Sequence, residues 1–125
     1  MVTANYKGME TGTSNADLSS QHEMLQHTAQ AKIDYLNVKK AALVLRALNH
    51  KLRQQMIKML DENSRMTVTE LYVQLRLEQS VASQHLAILR RAGIVKTDRD
   101  GKYIYYRVNE DRVTQINQIV DSLVN

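Results

Sequence analysis

Apolar residues recur at helical spacing along most of this chain, and the breaks in that period mark its elements. Residues 1–18 are rich in Gly, Thr, Ser and Asn and carry no apolar period, which predicts a disordered or weakly ordered arm. A helix is expected at about 18–30. From Ala31 the period tightens: Ile33, Leu36, Val44 and Leu48, with Ala41 and Leu45 alongside, predict a helix over about 31–48 with one apolar face. Asn49 is placed to cap a second helix whose buried side is Leu52, Met56, Ile57, Met59 and Leu60. Asp61-Glu62-Asn63-Ser64 then breaks the period.

The second half is more finely punctuated. Thr67-Val68-Thr69-Glu70 is a capping box, in which hydroxyl and carboxylate satisfy the orphan amides of a helix start. The short helix it opens holds Leu71, Tyr72 and either Val73 or Leu75 inward, and Leu77 packs the turn that follows. A longer helix is expected over about 79–92, ended by Gly93, which tolerates positive φ. Ile94–Thr97 and Lys102–Val108 read as strands of a hairpin. Its turn is Asp98-Arg99-Asp100-Gly101, with Asp-Gly the strongest signal. Asn109 or Glu110 starts a last helix, about 110–124, with Val113, Ile116, Val120 and Leu123 on one stripe, widened by Ile119 and Val124. This order describes an α+β fold, mainly α: a winged helix-turn-helix with additional helices before and after it, forming a single domain over about 19–125.

Composition narrows the function. The chain has 125 residues and no cysteine, which excludes disulfides, thiolate metal sites and a cysteine nucleophile. No run of 18 apolar residues is present, so no membrane partner is expected. The first residues lack a basic stretch followed by an apolar one, so no secretory signal is read and a cytoplasmic address is expected. With four glycines, no cysteine and no convergent acid pair, no catalytic constellation stands out; no enzyme activity and no cofactor are expected. The formal charge of +4 is local. Residues 76–107 carry seven Lys/Arg against three Asp/Glu, while the remainder holds ten of each sign, which predicts an anion-facing surface.

That surface centres on the helix at 79–92. Ala82, Leu86 and Leu89 turn to the core. The opposite face shows Gln79, Ser80, Ser83, Gln84 and Ala87, then Arg90 and Arg91 at its end. A groove-reading helix needs that distribution: Gln pairs with adenine edges, Ser serves bases or phosphates, and small residues allow close approach. His85 lies at the border of the two faces, and two readings stay open, a half-buried packing residue or a donor to DNA. Arg99 and Lys102 flank the hairpin turn, where a basic tip reaches phosphates or a minor groove.

The stretch from Ala47 to Val108 resembles the ArsR/SmtB family of bacterial winged-helix repressors. The most specific segment runs from Leu77 to Val95, with its Ser83-Gln84-His85-Leu86 core and its Leu89-Arg90-Arg91-Ala92-Gly93 exit. Gly101–Val108 resembles the family's second wing strand, and Arg53 matches the arginine of its second helix. The resemblance implies a homodimer whose interface is built from the helices at 31–48 and 110–124, through Ile33, Leu36, Val44, Val113, Ile116, Val120 and Leu123. It also implies double-stranded DNA as partner, with two recognition helices about 34 Å apart on a palindromic operator.

Where many members carry a Cys-x-Cys metal pair, this sequence has Thr67 and Thr69. Where others carry an Asp and a His early in the last helix, it has Glu110 and Arg112; of the two late ligand positions, one holds Leu123 and the other falls beyond the C-terminus. Neither set suits a soft or borderline metal, so no metal site is expected. The expectation is a dimeric, sequence-specific transcriptional regulator, a repressor without metal response. Two alternatives are a relative sensing metal or a small ligand at a non-standard site, and a winged-helix module whose partner is protein.

Overall fold

The structure, a computed structural model, describes residues 32–125. Asp34 opens the first described helix: the amide of Asn37 donates to its Oδ1 at 3.1 Å, and α1 runs Tyr35–Leu48. It therefore begins four residues later than the apolar period suggested, because this acceptor fixes the start. Ile33 and Leu36 are exposed. The expected arm at 1–18 and the helix at about 18–30 lie outside the described residues.

Residues 39–125 form one compact unit. After α1 come α2 (Lys51–Asn63), β1 (Met66–Thr67), α3 (Val68–Leu75), α4 (Gln79–Arg91), β2 (Val95–Asp100), β3 (Tyr103–Val108) and α5 (Glu110–Val124). Among the described residues this makes five helices and one three-stranded antiparallel sheet of order β1-β3-β2, the winged helix-turn-helix that the pattern predicts.

The capping box forms as read, with the Glu70 amide donating to Thr67 Oγ1 and the Thr67 amide to Glu70 Oε1. Other local details differ. His50, not Asn49, caps α2, because its Nδ1 accepts from the Leu52 amide at 3.2 Å. Leu75 rather than Val73 turns inward from α3; Val73 is exposed. Met66–Thr67 form a two-residue strand paired with Tyr105–Tyr106, too short to leave an alternating pattern. The hairpin is tighter than expected. Strand β2 runs on to Asp100, which pairs with Tyr103, so the turn is Gly101-Lys102. Gly101 has φ +65° and Lys102 does not share a positive φ, the pattern of a type II′ turn with Gly in first place.

The core is a single cluster. Met56 and Leu60 of α2, Leu71 of α3, Leu86 and Leu89 of α4, and Ile94 and Val95 leading into β2 are fully buried. Ile116 of α5 joins them at 7% exposure, with Val113 and Val120 packed alongside. Val113, Ile116 and Val120 of the stripe on the last helix are thus covered from within the chain, and Leu123 is not. The exposed apolar residues of α5 are Ile119, Leu123 and Val124. Val44 of α1 also packs on this core.

Candidate nucleic-acid interface

Helix α4 is held on three sides. Its inner face buries Ala82, Leu86 and Leu89 against the core. Its C-terminus is closed twice over: the Gly93 amide donates to Arg90 O and the Ile94 amide to Leu89 O, while Arg112 Nε reaches across from α5 to donate to Ala92 O at 3.2 Å. Gly93 takes φ +77° to make this exit, which directs the chain into β2. Helix α4 ends at Arg91 with Ala92 as its cap, one residue short of the expected bound.

The third hold is Arg53, a buried arginine on α2 with 7% exposure. Its Nη1 donates to His85 Nδ1 at 3.1 Å. Its Nε and Nη2 donate to Ala47 O and Arg46 O at the end of α1. Gln54 Nε2 takes Leu48 O, and the Asn49 amide takes Leu45 O. All four terminal carbonyls of α1 therefore have donors, two of them from one guanidinium that also grips the recognition helix.

This fixes the state of His85. Arginine has only donors, so His85 Nδ1 must be the acceptor and the ring proton sits on Nε2. The ring is half-buried, with its centroid 4.9 Å from that of His50. Burial first, then the nearby His50 and Arg53, hold its pKa below the ordinary 6.5. The neutral ring keeps one further donor, Nε2–H.

Gln79, Ser80, Ser83, Gln84, Arg90 and Arg91 are all exposed. At 100° per residue, Ser80, Gln84 and Arg91 lie opposite the core line, with Ser83 and Ala87 beside them. Glu78 caps α4 with no side-chain hydrogen bond, so the helix opens with uncapped amides. The face is thus uncharged at its start and cationic at its end.

In the wing, Arg99 is exposed beside the turn and Lys102 is exposed within it, with Lys102 Nζ 5.4 Å from the Tyr103 ring centroid. The seven positive charges of residues 76–107 do not form one surface. Arg107 is paired with Asp98, and with Lys96 it lines a polar hollow shared with Asp61, Glu110 and Asp111. Arg65 answers Asp100 at 3.1 Å and lies over the Tyr105 ring. The cations left facing outward near α4 and the hairpin tip are Arg76, Arg90, Arg91, Arg99 and Lys102.

Arg53 and Arg112 are the residues whose roles the pattern did not yield. Arg53 lies three and seven residues before Met56 and Leu60, on the buried stripe of α2; an arginine on an apolar stripe was the available signal. Thr67 and Arg112, which occupy metal-ligand positions of the resembled family, are engaged here in the α3 capping box and in closing α4. Among the described residues no group of three or more His, Asp or Glu is arranged to hold a metal ion.

A short helix, a turn, an anchored outer helix with a polar outward face and a basic hairpin define a DNA-binding winged helix-turn-helix regulator. Residues 50–97 match the bacterial regulatory protein, arsR family. The chain is 38% identical over 84 residues to an uncharacterized HTH-type transcriptional regulator of Methanocaldococcus jannaschii, covering 67% of this chain and 94% of that protein. It is 36% identical to the transcriptional activator HlyU of Vibrio cholerae, covering 70% of this chain and 80% of that one. The crystal structure of the transcriptional repressor PagR of Bacillus anthracis superposes with a TM-score of 0.56 at 30% identity, covering 70% of this chain and 99% of that one. This protein belongs to the arsR family of transcriptional regulators. Among its described residues no helix is long and apolar enough to cross a membrane.

Proposed function

We propose that the protein is a dimeric, sequence-specific repressor that binds a palindromic operator in the cytoplasm and does not respond to metal. The outward face of α4 carries this reading. Ser80, Ser83, Gln84 and Ala87 offer short uncharged contacts to base edges, and Arg90 and Arg91 follow where phosphates would lie. His85 adds one donor at the border of that face, and Arg99 and Lys102 reach for the neighbouring backbone or minor groove.

Dimerisation is supported by apolar residues exposed among the described residues: Leu45 on α1, and Ile119, Leu123 and Val124 on α5. Exposed apolar residues on the two helices flanking the winged domain suit a two-fold interface that leaves both α4 helices free. Ile33 and Leu36 are likewise exposed. Repression is favoured by the likeness to a repressor, and metal independence by the work that Thr67 and Arg112 already do.

The test is selection from a random duplex library followed by gel shift with scrambled competitor. Enrichment of inverted half-sites about one helical turn apart, bound by two protomers, is expected. Enrichment of no common sequence would reject the reading.

A further inference from the structure

Between α1 and the end of α4 lies a hollow of about 490 Å³, within the size range of small-molecule pockets, roughly 300–1,000 Å³. Leu43, Val44, Ala47, Ile88 and Ala92 give it an apolar lining. Every charged residue on its wall is a cation: Lys40, Arg46, Arg53 and Arg91. Arg53 is committed to two backbone carbonyls and His85. For Lys40, Arg46 and Arg91 there is no carboxylate within ion-pair distance among the described residues, where the ion pairs are Arg65–Asp100 and Arg107–Asp98. The partial negative charge expected at the end of α1 is also quenched here, because Arg53 occupies the carbonyls of Arg46 and Ala47.

We propose that this hollow binds an amphipathic organic anion, an aliphatic or aromatic carboxylate, whose apolar body lies on the α1–α4 lining and whose carboxylate is held by Lys40, Arg46 and Arg91. The apolar lining excludes a free inorganic anion as the best occupant, and the three cations exclude a neutral lipid. Arg91 gives the site its consequence. It lies on the outward face of the recognition helix, so a carboxylate bound to it competes with a DNA phosphate for the same guanidinium. The occupied hollow also places a negative charge beside the DNA. This second step rests on the DNA-binding reading above; the binding site itself does not.

Decanoate is the probe, titrated calorimetrically into the full-length protein without DNA, with decanol and acetate in parallel. Saturable binding of decanoate is expected, with acetate at least tenfold weaker for want of an apolar body and decanol at least tenfold weaker for want of charge. Arg91→Gln and Lys40→Gln, both at exposed positions, should each weaken decanoate severalfold and leave the residual decanol binding unchanged. No saturable decanoate binding, or binding that neither substitution alters, overturns the site. Operator affinity is then measured with and without saturating decanoate. It should fall at least tenfold, with the salt slope smaller by about one. Unchanged operator affinity with decanoate bound overturns the competition. Absence of operator binding before any decanoate is added is the separate failure of the DNA reading, and the titration on free protein still decides the site.

Discussion

Arg53 Nη1 and His85 Nδ1 lie 3.1 Å apart, and through this one bond the end of α1, the body of α2 and the border of the recognition helix share a single buried guanidinium. The arrangement explains why a charged group sits in an otherwise apolar core. The last carbonyls of α1 have no intrahelical donors, and a planar fork of donors reaches those of Arg46 and Ala47 while a third arm turns to α4.

Arg53→Met tests this. The stem is replaced at similar bulk, but the Arg46 and Ala47 carbonyls and His85 Nδ1 lose their donor. Leaving such groups unsatisfied costs on the order of 2–4 kcal/mol. The midpoint of urea unfolding should fall accordingly, with the slope unchanged. Arg53→Lys keeps the charge but cannot fork, so it should recover only part of the loss.

The same bond sets a pH dependence. The pKa of His85 is depressed in the folded state, so the folded protein binds fewer protons than the unfolded chain once pH drops below about 6.5. The stability that neutral His85 supports is complete above the unfolded value and is lost as pH falls through the folded one. Unfolding free energy should decline as pH falls below 6.5, and His85→Asn should flatten that decline. An identical pH profile in the variant would assign the titration elsewhere.

Two residues on one helix separate folding from assembly. Ile116 is buried in the chain's own core, so Ile116→Asp should unfold the protomer through an uncompensated buried charge. Leu123 is 73% exposed, so Leu123→Asp should leave protomer stability within about 0.5 kcal/mol. If α5 forms the dimer contact, Leu123→Asp should give folded monomers by light scattering and circular dichroism. A dimer of unchanged mass would place the interface elsewhere.

The contrast shows where the pattern was informative. Ala82, Leu86 and Leu89 could be placed inward because their spacing matches one helical face, and the elements from α3 to α5 follow from capping, glycine and period. The stripe on α5 could not be apportioned between core and interface, since periodicity identifies a buried face but not what buries it. The hairpin turn reads as residues 98–101 but forms at Gly101-Lys102, because Asp100-Gly101 and Gly101-Lys102 are both favourable turn pairs and only the register of Asp100 with Tyr103 decides. The roles of Arg53 and Arg112 depend on carbonyls six and twenty residues away in sequence, which no local pattern encodes.

Gly93 and Gly101 provide a matched pair. Both have positive φ, but a Cβ at Gly93 would lie 3.2 Å from Arg112 Nε, whereas nothing lies within 4 Å of one at Gly101. Gly101→Ala should cost about 1–3 kcal/mol of backbone strain alone. Gly93→Ala should cost more, because it also pushes Arg112 off the end of α4. Equal losses in urea would mean that Arg112 moves freely.

The DNA-facing parts should divide their work. Gln84 stands mid-helix, opposite the core line of α4, where base edges are expected; Lys102 stands in the hairpin turn, where phosphates are expected. Losing a good base contact costs about 1–3 kcal/mol and acts mainly on the cognate site. Losing a phosphate contact weakens cognate and random DNA alike and lowers the salt slope by about one. Gln84→Ala should therefore reduce the ratio of operator to scrambled affinity at nearly constant salt slope. Lys102→Ala should keep the ratio and reduce the slope. Binding isotherms for both variants on both DNAs, at several salt concentrations, measure the two quantities independently. Were Gln84→Ala to weaken both DNAs equally, the outward face of α4 would be a phosphate-binding surface and sequence reading would have to come from the hairpin.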